Sequence, residues 1–118
     1  MAIIINTQSR DFTEVEQYLM TLDRGIKSLK DVEDNTSIAV AGYLTFTDEK
    51  ENGDSVDILS IITPDNEVFT CQSATFKRSF NNITNIMHGK QFSVIKVSGT
   101  TKNGRPYIDC VLDIKSVK

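Results

Sequence analysis

The chain of 118 residues contains no tryptophan, one histidine, two cysteines and two prolines. These shortages remove several function classes. Cys71 and Cys110 do not form a CxxC pair, and His88 alone cannot complete a Cys/His zinc set. Buried free thiols in a reducing cytoplasm are expected, with a cross-strand disulfide as the alternative. No apolar run approaches the roughly 18–20 residues that cross a bilayer. The opening MAIIINTQSR lacks a basic region and its apolar run is short, so no secretory leader is expected. Walker loop, GxSxG and HExxH are all missing, and the acids of 48–57 match no calcium loop. The expectation is a protein that is not an enzyme and uses no cofactor or metal. Without tryptophan, stacking on a ligand falls to tyrosine or phenylalanine.

What the chain does have is charge separated along its length. The net charge of −3 disfavours a polyanionic partner mildly. Residues 1–70, however, carry 14 acids and 5 bases, whereas residues 71–118 carry 2 acids and 8 bases. Such asymmetry suggests a basic face offset by an acidic remainder, provided the split survives the interleaving of strands.

Periodicity orders the elements. Residues 2–7 read as an extended arm or edge strand. Thr13 with Glu16 forms a capping box, and Val15, Leu19 and Leu22 make an apolar stripe on a helix over 14–24, ended by Gly25. Residues 26–35 read as a connection with a helical turn. A strand over 37–47 follows, with Ile38, Val40, Leu44 and Phe46 on one face and Gly42 at its centre. The acidic turn around Asn52-Gly53 leads to strands over 55–63 and 67–72. Phe76, Phe80, Ile83 and Met87 stripe a helix that Ser73 or Thr75 can cap and that closes at Gly89. Two strands, over 91–98 and 106–114, flank the turn 99–105, with Ile108, Cys110, Leu112 and Ile114 facing inward.

This order, β-β-β-α-β-β, predicts a mainly β fold: a five-stranded OB barrel with an additional short N-terminal helix. It divides the chain into an N-terminal arm and helix (1–35) and an OB domain (36–118), within one compact domain overall. OB barrels bind strands of nucleic acid across their second and third strands and the adjoining loops. Sequence-tolerant binding needs cations for phosphates and flat side chains for bases. The candidates are Tyr43 and Tyr107 for stacking, on the outward sides of their strands, and Lys96, Lys102 and Arg105 for phosphate. Each has a plainer alternative: a tyrosine packed under the N-terminal helix, or solvated hairpin charges. The acidic turn at 48–54 argues against binding if it flanks the groove. Lys77 and Arg78 read as solvent-facing, and His88 as a capping or solvent-facing residue.

The strand AVAGYLTF, the helix SFNNI and the strand–turn–strand SGTTKNGRPYIDCVLDI give 37–114 a likeness to a known family. The segment resembles the small OB-fold single-stranded DNA-binding proteins of phages and mobile elements of Gram-positive bacteria. The resemblance implies a cytoplasmic protein of the bacterial host that coats single-stranded DNA, or RNA, in replication, recombination or DNA transfer. Self-association through the N-terminal segment is expected, since strand-coating binders act cooperatively. Many such proteins carry a long acidic C-terminal tail; here the sequence ends in the basic Lys115–Lys118, so recruitment of partners through such a tail is not expected. The alternative is a protein–protein interaction module on the same barrel without nucleic-acid binding, which the net acidity favours.

Overall fold

A computed structural model describes residues 2–117, and Lys118 of the basic tail lies outside them. The elements in chain order are β1 (Ala2–Gln8), α1 (Glu14–Thr21), β2 (Lys27–Ser28), β3 (Ser37–Val40), β4 (Gly42–Glu49), β5 (Ser55–Ile62), β6 (Val68–Cys71), α2 (Ala74–Met87), β7 (Phe92–Thr100) and β8 (Pro106–Asp113). Short 3-10 turns occupy Leu29–Asp31 and Ile114–Ser116.

The fold is mainly β, with two sheets. One has the order β1-β4-β5-β6-β2 and the other β3-β7-β8. β3 and β4 run almost end to end and belong to different sheets, so a single stretch of chain joins the two. β3 pairs with β7, whereas β4 pairs with β5 on one side and β1 on the other. Among the described residues β6 and β8 do not pair, and the sheets do not close into a hydrogen-bonded ring. That seam lies beside α2, where Phe76 and Phe80 are fully buried and the Phe76 carbonyl lies 3.9 Å from the Cys110 thiol.

The junction at Ala41–Gly42 changes how the strand over 37–47 reads. Ile38 and Val40 enter the core beneath α2. Leu44 and Phe46 enter a second core, with Phe12 and Met20. Alternation is therefore broken by one residue between Val40 and Tyr43, and a one-residue slip turns every later side chain to the opposite face. Close approach requires glycine at this point: a Cβ on Gly42 would stand 2.8 Å from the Phe12 ring. β5 serves both cores, so Leu59 to Ile62 is buried without a break.

Residues 2–35 take part in this packing. β1 is an edge strand, whose Ile3 and Ile5 pack on the second core. The capping box of α1 is complete, with the Glu16 amide donating to Thr13 and the Thr13 amide donating to Glu16. Met20 is fully buried and its carbonyl accepts from the buried Ser60 hydroxyl at 2.7 Å. The expected stripe is only partly right. Leu19 packs inward, but Val15 is 68% and Leu22 49% exposed. Ile114, expected inward, is also exposed, because it leaves the strand in a 3-10 turn.

α2 follows its periodicity closely. Ser73 caps it, and Phe76, Phe80 and Met87 are buried. It ends with His88 in the left-handed region, its amide donating to the Thr84 carbonyl. Both thiols are buried and free.

Candidate nucleic-acid interface

The hairpin between β7 and β8 sets the first part of the site. Gly99 and Tyr107 are direct cross-strand partners. A Cβ on Gly99 would meet the Tyr107 hydroxyl oxygen at 2.7 Å and Cζ at 2.8 Å. The tyrosine ring therefore lies over the glycine, held against the strand, while 38% of the residue remains exposed. Glycine is the residue that leaves room for a ring in this position.

Two residues before Tyr107, the chain turns. The Thr101 amide donates to the Arg105 carbonyl, and the Arg105 amide to the Thr101 hydroxyl. These bonds fix the tip that carries Lys102 and Arg105, both exposed.

A groove of about 550 Å³ opens beside Tyr107, lined also by Lys30, Ser73, Lys96, Ser98, Pro106 and Ile108. An adjoining hollow of about 230 Å³ shares Lys30 and Ser73 and adds Ser28, Ile58, Thr70, Cys71 and Gln72. Together they lead from the β7–β8 hairpin onto β5 and β6. None of Asp48 to Asp54 lines either space. The acidic turn, the main argument against a phosphate ligand, is therefore not among the walls.

Lys30 was not legible as a site residue. It belongs to the 3-10 turn Leu29–Asp31, whose Leu29 is fully buried and turns its neighbours outward. The signal was a lysine beside a buried leucine in a polar connection, which many surface turns share. The ion pairs of the described residues join Arg10 to Glu16, Lys27 to Glu67 and Lys96 to Asp34. Lys30, Lys102 and Arg105 are in none of them.

Two expected residues are placed differently. Tyr43, expected on the outward face, is half-buried and meets Phe80 edge-on at 5.0 Å between ring centres. The slip at Ala41–Gly42 is the cause. Its ring is a packing group of the first core. Lys96, expected to point outward, is 4% exposed. Its ammonium donates to the Val32 carbonyl at 2.6 Å and to Asp34 Oδ1 at 3.1 Å. Asp34 also accepts from the Ser98 hydroxyl at 2.6 Å. The Ser98 hydroxyl and the Lys96 ammonium together hold the Asp34 carboxyl below its usual range. Lys96 thus lines the groove, but its charge ties the 29–36 connection to β7. Tyr107, Lys102 and Arg105 are brought together at one hairpin; Tyr43 and Lys96 do not join them as exposed groups.

The arrangement offers an aromatic face and three exposed cations beside a trough. Among the described residues no cluster of His, Cys, Asp and Glu could hold a metal. No helix among them is long and apolar enough to cross a membrane. No protein family, curated protein or solved structure matches this chain.

Proposed function

We propose that the protein binds single-stranded DNA without strong sequence preference, on an open barrel of OB type. The strand succession supports the fold: β6-β5-β4 continues through the Ala41–Gly42 junction into β3-β7-β8, which is the OB order with its last seam left unpaired. In that scheme the trough runs over the second and third barrel strands and ends at the hairpin between the fourth and fifth, where OB barrels take their strands. One observation carries the function. The Tyr107 ring is held over Gly99 at its hydroxyl end, at the mouth of a groove, with Lys30 in the wall and Lys102 and Arg105 at the adjoining tip. A base stacks on the ring, and the cations track the phosphates on either side. The role that follows is to coat and protect strands exposed in replication, recombination or DNA transfer.

Fluorescence anisotropy with labelled poly-dT and its duplex, from about 50 to 200 mM salt, tests this, because phosphate binding releases counterions. Single strands bind in preference to the duplex. Tyr107→Ala weakens binding by about 1–3 kcal/mol with little change of salt slope. Lys30→Ala, Lys102→Ala and Arg105→Ala each lower the slope of log K against log salt by about 0.7. Absence of binding at the lowest salt overturns the proposal and leaves the protein-interaction module.

A further inference from the structure

The outer face of α1 has no partner within the chain. Val15, Tyr18 and Leu22, at i, i+3 and i+7, are 68%, 51% and 49% exposed. The helix is fastened to the sheet through Met20 and, at the flank of this face, Leu19. These three apolar side chains on one helical face make a candidate interaction surface.

The charges around the patch select its occupant. Asp11 and Glu14 are exposed at the N-terminal end, and Arg24 is exposed just past the C-terminal end. None of them belongs to an ion pair of the described residues. The pattern is also centred. The midpoint of Val15 and Leu22 falls between residues 18 and 19, that of Glu14 and Arg24 falls on residue 19, and Tyr18 stands beside both. Leu22 caps the helix and Arg24 lies in the turn beyond it, so the acid and the base stand at opposite ends of the apolar patch. A surface that repeats itself on reversal about one point is what a two-fold contact requires, because residue i must meet j while j meets i.

We propose that α1 docks antiparallel on α1 of a second copy of this chain. Tyr18 packs on the partner's Tyr18, Val15 on the partner's Leu22, and Glu14 pairs with the partner's Arg24. The patch is on the order of a few hundred Å², below the roughly 800 Å² per partner of a standard stable interface. The contact is therefore weak in free solution. It gains strength when two copies sit on one strand, where tethering raises their effective concentration. This consequence rests on the strand-binding function proposed above; the contact itself does not.

Sedimentation equilibrium without DNA, over about 10 µM to 1 mM chosen to bracket a weak contact, reads the contact directly. The expected result is a monomer–dimer equilibrium that Tyr18→Lys weakens on the order of tenfold or more. Glu14→Arg and Arg24→Glu each weaken it, and the double variant Glu14→Arg, Arg24→Glu restores it. Circular dichroism confirms that each variant is folded, since all three sites are on the surface. A wild-type chain that stays monomeric throughout overturns the proposal, as does dimerisation indifferent to Tyr18→Lys or a double variant without rescue. Binding to an oligonucleotide one site long is measured in parallel. It stays unchanged in Tyr18→Lys, which separates failure of the contact from failure of strand binding.

Discussion

At the scale of single residues, two side chains named from the same strand pair have opposite fates. Tyr107 is held over Gly99 and exposed; Lys96, on β7, is buried beneath the 29–36 connection. Each gives a measurable consequence. In Gly99→Val the new branch displaces the Tyr107 ring, because the first added carbon already meets it at under 3 Å. The variant loses strand affinity by roughly tenfold, within the span of one stacked base. Combined with Tyr107→Ala, the losses do not add, since both remove the same platform. Full additivity in anisotropy titrations contradicts the shared cause. Lys96→Met keeps the aliphatic stem and removes the ammonium from Val32 and Asp34. Asp34 is half exposed and recovers water, so the cost comes mainly from the part-buried Val32 carbonyl. A urea titration should show a loss of about 1–3 kcal/mol, while strand affinity is unchanged. A large affinity loss with unchanged stability returns Lys96 to the binding surface.

At the scale of elements, legibility followed how local the cause was. α2 could be read almost to its ends, because its stripe and its caps act within a few residues; the fold chose Ser73 over Thr75 at the start and placed the left-handed exit at His88, one residue before the expected Gly89. The strand over 37–47 could be located, yet its faces could not. The slip at Ala41–Gly42 depends on Phe12, about thirty residues earlier, pressing on the glycine. Lys96 escaped for a similar reason, since its partners come from a turn some sixty residues before it. The start of α1 was legible through its capping box, whereas its buried side was decided by Ser60 on a distant strand. That cap also has a pH signature. The Arg10 guanidinium, then the Thr13 amide, hold the Glu16 carboxyl at about 2, against an ordinary value of 4.5. A folded-state value below the unfolded one contributes stability in full above 4.5 and loses it as pH falls toward 2. Asp34 is shifted in the same direction and loses its share on the same side. Thermal melts between about pH 6 and pH 2.5 should therefore fall less steeply in Glu16→Gln than in wild type, though not flatten. Parallel curves for the two proteins show that the Arg10 contact adds nothing to stability.

At the scale of the whole molecule, the unpaired seam between β6 and β8 raises the question of whether the two halves open separately. Cys71 lies on β6 and Cys110 on β8, and both belong to the core under α2. Burial pushes the Cys71 thiol up to about 11. Burial, then the nearby Asp109, pushes Cys110 up to about 12. Near pH 8 both are almost wholly protonated and closed to reagent, so a thiol-specific label reaches them only through opening of the fold. Because α2 fills the seam with Phe76 and Phe80 rather than leaving an edge to fray, both thiols should react together, at a rate set by the global equilibrium. Labelling then accelerates with urea along the same line as the spectroscopic unfolding curve. Lys96→Met accelerates both sites by the factor its loss of stability predicts, roughly 5- to 150-fold for about 1–3 kcal/mol. Mass spectrometry resolves the two sites. Cys110 reacting well ahead of Cys71, with little dependence on urea, means that β8 peels from α2 as a separate unit. The hairpin bearing Tyr107, Lys102 and Arg105 is then carried on a mobile flap instead of on the rigid body of the two sheets.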